Sequence, residues 1–171
     1  IVINSSNVGM VHIVDLMKPE VYYQWLRRLG LGGMVGIDLP SEMPGQFKER
    51  KTFVQSRLER AVTAFGQGFS MTPIQLAQLN AAIANGGKLV TPHVVRGLFH
   101  ADGKPQWQPT LPAPQQIFSP PVAKTVLEMM ETVVTQGSGR TTQISGYRIA
   151  GKTGTAQKAS AKGGYHSTAK I

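Results

Sequence analysis

The sequence predicts a mixed α/β domain, and three observations carry that reading. Residues 72–87 combine a helix-capping threonine, a proline at the first helical position, an apolar face and a Gly-Gly stop. Residues 121–135, "PVAKTVLEMMETVVT", again place proline ahead of a helical run. Residues 147–158 and 165–171 instead read as extended segments separated by glycine-containing polar sequence, as in two neighbouring strands.

Taken in order, "SSNVG" at 5–9 supplies capping residues for a helix whose apolar positions are Met10, Val11, Val14, Leu16 and Met17, with Pro19 expected to close it. A second helix fits 19–30, with Pro19 near its start, Val21, Trp25, Leu26 and Leu29 on its apolar side, and Gly30 as its stop. Residues 30–47 are rich in Gly and Pro and read as a loop. After Thr72 and Pro73, the side chains of Ile74, Leu76, Ala77, Leu79 and Ile83 form the apolar face of the third helix. The proline-rich stretch 98–121 is a surface excursion, with "VVRGLFHADGKPQW" turning at Asp102-Gly103 as a hairpin. "GSGRTTQI" at 137–144 reads as a loop.

Composition narrows the function classes. The chain has 171 residues, enough to bury a core, and its 41% hydrophobic and 16% charged content is that of a globular protein. Its net charge of +9 would attract a polyanion. The densest basic stretch, 48–60, is interrupted by Glu49 and Glu59 and lacks an aromatic ladder for stacking bases, which argues against nucleic-acid binding. With no cysteine, disulfides, thiolate nucleophiles and cysteine metal sites are excluded. His12, His93, His100 and His166 are dispersed without metal-site spacing and read as surface or core histidines, so no metal site is expected. The opening "IVINSSNVGM" and the closing "STAKI" read as the edges of a piece of a longer protein, and any anchor or export signal is expected outside it.

Two short motifs carry chemistry. "KTGT" (Lys152, Thr153, Gly154, Thr155) could be an edge strand with an exposed lysine and a turn. It could equally be a ligand-binding strand: Gly154 lets a ligand approach the backbone, and the lysine and hydroxyls suit a carboxylate. "SSN" (Ser5, Ser6, Asn7) could be a helix N-cap, or could present Ser5 as a proton relay and Asn7 as a hydrogen-bonding amide.

Ser-x-x-Lys, Ser-Asp-Asn and Lys-Thr-Gly are the motif set of penicillin-binding proteins and class A β-lactamases. This chain has Ser-x-Asn and Lys-Thr-Gly in that order, and "AFGQGFSMTPIQLAQLNAAIANGG" and "VVTQGSGRTTQISGYRIAGKTGTAQK" resemble class B penicillin-binding proteins over nearly all 171 residues. The resemblance implies the penicillin-binding-protein/serine β-lactamase-like fold, an antiparallel sheet flanked by helices, incomplete in 1–171, with a helical subdomain contributing Ser5 and Asn7. It implies a peptidoglycan D,D-transpeptidase that cross-links D-Ala-D-Ala stems by serine acyl transfer and is a target of β-lactams. Ser5 would exchange protons with the catalytic serine and lysine, Asn7 would position that lysine and the substrate, and Lys152 would anchor charge. Thr153 and Thr155 would bind the terminal carboxylate beside Gly154, and the Thr155 N–H would serve an oxyanion hole, where losing one donor costs about 3 kcal/mol of barrier.

The nucleophile motif is expected upstream of Ile1. A Ser-x-x-Lys does occur at Ser167–Lys170, but "YHSTAKI" reads as a strand, where positions three apart point to opposite faces, so Ser167 is a decoy. The family further implies a peptidoglycan stem peptide and a glycan-polymerising membrane protein as partners, and an N-terminal helix anchoring the protein at the extracytoplasmic face of the inner membrane. A β-lactam sensor, a β-lactamase and a non-catalytic division partner share the fold and stand as alternatives.

Overall fold

The computed structural model describes residues 1–155 with their side chains, and 157–159 and 165–170 as strands. In chain order the helices are α1 (Asn7–Asp15), α2 (Pro19–Arg28), α3 (Arg50–Gln55), α4 (Arg57–Ala64), α5 (Pro73–Ala84) and α6 (Pro120–Gln136). The strands are β1 (Lys88–Leu89), β2 (Leu98–Phe99), β3 (Pro105–Trp107), β4 (Gln115–Gln116), β5 (Gln157–Ala159) and β6 (Tyr165–Lys170). Among the described residues the strands pair antiparallel two by two, β1 with β4, β2 with β3 and β5 with β6. The mixed α/β class holds; the sheet is delivered as three short ladders.

The chain divides into two compact units, one of Ile1–Tyr22, Glu49–Phe69 and Leu127–Ile171, the other of Tyr23–Lys48 and Ser70–Val126. In the first, α1 packs on α4, with Val14, Phe53, Val133 and Val134 buried. Tyr22 lies against Phe53 with ring centroids 5.4 Å apart and planes tilted by 54°, a favoured aromatic geometry. An Arg57–Asp15 ion pair at 2.7 Å joins α4 to α1 at the surface. The basic stretch 48–60, read from sequence only as a charged patch, forms α3 and the first half of α4. Its amphipathic spacing buries Phe53 while Ser56 caps α4 through the Glu59 N–H.

Burial pushes the Tyr22 phenol up to about 12. Its neutral form is favoured in the folded state, so the stability it contributes is whole below the ordinary value near 10 and is lost as pH rises toward 12. In an absorbance titration near 295 nm, a late-ionising component is expected from Tyr22, and Tyr22→Phe should remove it. A wild-type titration complete by about pH 11 would contradict the buried phenol.

In the second unit α5 follows its sequence signals closely. Thr72 caps it in a reciprocal box with Gln75, Pro73 occupies the first turn, and Gly86 and Gly87 adopt φ of 79° and 89°. The Gly87 N–H reaches the Ala82 carbonyl at 2.7 Å, closing the helix by a Schellman-type bond. Buried Gln75 then acts as a hub: its Oε1 accepts from the Thr72 N–H at 2.7 Å, and its Nε2 donates to the carbonyls of Gly33 at 2.5 Å and Pro44 at 2.9 Å. The glycine-rich loop 30–47 thereby gains a defined path without secondary structure. Asp38 accepts from the Val94 and Val95 N–H groups at 2.8 and 2.9 Å, which holds its carboxyl below the usual range.

Three expectations need correction. Helix α1 ends at Asp15 rather than running to Pro19, and the Leu16 and Met17 N–H groups close its last turn on Ile13 and Val14; Pro19 opens α2, as expected. The stretch 147–155, expected as strand, joins no ladder among the described residues, and its Gly151 N–H donates instead to the Met130 carbonyl of α6. The strand starts only at Gln157. Within 137–144, Arg140–Thr142 forms a 3₁₀ turn where a plain loop was expected. Ala156 and Ile171, both inside the expected strands, lie outside the described residues.

Candidate active site

The site forms where the turn preceding α1 meets the segment leaving α6, both within the first unit. Ser6, not Ser5, caps α1: it is extended, with φ −74° and ψ 105°, and its hydroxyl accepts from the Gly9 N–H at 3.1 Å. Ser5 stands one residue outside the helix with φ +50°, a left-handed conformation uncommon for a residue with a Cβ. The two readings of "SSN" therefore fall on different serines. Ser6 is structural, and the Ser5 hydroxyl is released from capping.

Lys152 is brought to Ser5 by attachments to α6. Arg148 grips Glu131 with both arms of its guanidinium, at 2.8 and 2.7 Å, which holds the Glu131 carboxyl below its usual range. Gly151 N donates to the Met130 carbonyl at 3.1 Å. From there the Lys152 ammonium donates to Ser5 Oγ at 2.5 Å, to the Thr153 carbonyl at 2.8 Å and to Thr153 Oγ1 at 3.2 Å. Ser5 Oγ and Thr153 Oγ1 are 3.4 Å apart.

Ser5, Lys152 and Thr153 thus converge across a separation of 147 residues. Asn7 opens α1 two residues further on and is exposed, while Gly154 and Thr155 follow Thr153 and are exposed. Among the described residues nothing lies within 4 Å of a Cβ added at Gly154, so the strip is open to a ligand backbone. Ser167 falls in β6, extended backbone rather than the first turn of a helix. Sequence reasoning missed Ser138, whose Oγ lies 2.7 Å from Thr153 Oγ1 and 3.3 Å from Ser5 Oγ. Its only signal was the Gly-Ser-Gly setting, which reads equally as a turn.

An exposed cation surrounded by hydroxyls, beside an open backbone strip, can hold a carboxylate and pass a proton between oxygens. The family model for the penicillin binding protein transpeptidase domain matches residues 1–171, and the chain belongs to that family, among its class B members. It is 43% identical to a peptidoglycan D,D-transpeptidase FtsI homolog of Mesostigma viride, over 95% of this chain and 29% of that protein. It is 36% identical to stage V sporulation protein D of Bacillus subtilis, over 92% of this chain and 24% of that protein. The crystal structure of penicillin binding protein 3 from Mycobacterium tuberculosis complexed with ampicillin superposes with a TM-score of 0.87 at 36% identity, covering 96% of this chain and 37% of that one. The chain therefore spans between about a quarter and two fifths of the relatives it matches.

The strained serine yields a prediction with two opposite signs. Ser5→Gly in the full-length protein is expected to raise stability by up to about 1 kcal/mol, because glycine accepts positive φ without a Cβ penalty. On the transpeptidase reading proposed below, the same change should cut acylation by penicillin about a hundredfold or more by removing the hydroxyl beside Lys152. A thermal midpoint that falls together with the activity would mean that Ser5 serves the fold.

Proposed function

We propose that residues 1–171 are the C-terminal part of the transpeptidase domain of a peptidoglycan D,D-transpeptidase that cross-links D-Ala-D-Ala stem peptides by serine acyl transfer and is acylated by β-lactams. The observation that carries this is the hydrogen bond from the Lys152 ammonium to Ser5 Oγ, which unites two motifs from opposite ends of the chain. The family match, and relatives whose solved structures hold ampicillin or aztreonam, support it.

The nucleophile is a serine upstream of Ile1. Its Oγ attacks the carbonyl carbon of the penultimate D-Ala, the amide C–N bond breaks, and the proton reaching the departing amine passes through Ser5. The amine of a neighbouring stem then attacks the ester, the C–O bond breaks, and the proton returns to the serine. Lys152 stabilises negative charge on Ser5 in transit, Asn7 positions the catalytic lysine and the stem, and Thr153 and Thr155 hold the terminal carboxylate, with the Thr155 N–H facing the oxyanion. No step calls for a metal or cofactor.

The test is to incubate the full-length protein with penicillin, digest it and locate the adduct by mass spectrometry. A slowly released adduct on a serine upstream of Ile1 is expected. An adduct on Ser167 would overturn the site assignment, rapid turnover would mark a β-lactamase, and no adduct would point to a binding-only protein.

By the same reading the intact protein works at the extracytoplasmic face of the inner membrane, held by an N-terminal helix outside this segment and beside a glycan-polymerising partner. No helix among the described residues is long and apolar enough to cross a membrane. Recovery of the full-length protein in the cytosolic fraction would refute that placement.

A further inference from the structure

We propose that Ser138 is a positioning residue for carboxylate recognition, holding the Thr153 hydroxyl so that its proton faces the terminal carboxylate of the ligand. The inference rests on the transpeptidase reading above and adds a residue to it. Ser138 lies in the turn between α6 and the 3₁₀ turn, and that turn is built without its hydroxyl. Gly137 N and Gly139 N both donate to the Val133 carbonyl, at 3.1 and 3.0 Å, and the Gly139 carbonyl accepts from Thr142 N and Thr142 Oγ1 at 3.0 and 2.7 Å. Gln143 Nε2 ties the far side to the Val134 carbonyl at 2.8 Å. A Cβ at Gly137 would collide with the Ile3 carbonyl, so this glycine lets the turn close directly on the segment that presents Ser5.

With the backbone satisfied elsewhere, the Ser138 hydroxyl is left to the site. Its partners are Thr153 Oγ1 at 2.7 Å and Ser5 Oγ at 3.3 Å. The Lys152 ammonium has three protons and, among the described residues, three acceptors: Ser5 Oγ, the Thr153 carbonyl and Thr153 Oγ1. Thr153 Oγ1 therefore already accepts one hydrogen bond. When Ser138 donates the second, both lone pairs of Thr153 Oγ1 are occupied and its own proton is left to be given away; the charged oxygen of a carboxylate is a stronger acceptor for it than the Ser5 hydroxyl at 3.4 Å. Without Ser138 the hydroxyl rotor is free to turn its lone pair to the ligand, and the hydrogen bond to the carboxylate is made only part of the time.

The test uses the full-length protein and a fluorescent penicillin, with stopped-flow kinetics separating the dissociation constant of the encounter complex from the acylation rate constant. Ser138→Ala should raise the dissociation constant about tenfold, the size of one charge-assisted hydrogen bond, and leave the acylation rate constant within about twofold. Ser138→Thr keeps the hydroxyl and should stay within about threefold of wild type. In a Thr153→Val background Ser138→Ala should add less than about twofold, and a penicillin methyl ester, which lacks the carboxylate, should not distinguish Ser138→Ala from wild type. Wild-type affinity in Ser138→Ala, failure of Ser138→Thr to restore it, or an equal loss with the methyl ester would each overturn the assignment. Absence of acylation in the wild-type protein would instead remove the transpeptidase reading and this inference with it.

Discussion

Lys152→Ala in the full-length protein is expected to lower the second-order rate of acylation by penicillin about 10²–10⁴-fold, the range for removing a group that assists proton transfer. The thermal midpoint should hold, because the side chain is exposed and exposed substitutions away from packed features change stability by about 0.5 kcal/mol or less. The size of the kinetic effect follows from geometry: one ammonium serves Ser5 Oγ, Thr153 Oγ1 and the Thr153 carbonyl at once, so its loss removes both charge and alignment. Lys152→Arg should not rescue. A planar guanidinium cannot place three donors on three acceptors clustered around one nitrogen. Acylation by Lys152→Ala within about threefold of wild type would reduce the lysine to a surface charge.

The second large effect is on stability. Gln75→Leu keeps much of the side-chain volume but orphans the Thr72 N–H and the Gly33 and Pro44 carbonyls around a residue that is only 1% exposed. Each buried group left without a partner costs about 1–3 kcal/mol, so a loss of about 4 kcal/mol is expected. Hydrogen exchange localises the effect: amides of residues 30–46 and Thr72 should exchange faster. Gln75→Glu should be worse than Gln75→Leu near neutral pH, because a carboxylate has no donor for the two carbonyls. It should recover as pH falls through the carboxyl's own pKa, because the protonated acid regains one donor. Unchanged exchange in Gln75→Leu would show that water replaces the amide at little cost.

Both predictions concern residues of very different legibility. Gln75 could be read in sequence as the third residue of a capping box, Thr72-Pro73-Ile74-Gln75, and that half of its role is local. Its grip on residues 33 and 44 could not, since nothing in a Gly-rich loop announces which buried amide will hold it. The segment 48–60 shows the same limit from the other side. Its charges masked a short amphipathic pattern that matters only because Phe53 finds Tyr22.

The sequence by itself determined the elements whose signals act within one turn of chain: the proline starts of α2, α5 and α6, the glycine stops after α2 and α5, the hairpin at Asp102-Gly103, and the extended nature of 165–170. It also named the three residues that converge, because their motifs stay recognisable however far apart they lie. Only the tertiary structure decided which serine caps and which is released, that 147–155 leans on α6 instead of joining a ladder, and that Ser138 stands beside Thr153. Capping and turn signals are local because their hydrogen bonds span three or four residues. A cluster joining residues 5, 138 and 152 has no local signature, because the packing of α6 against the turn before α1 creates it.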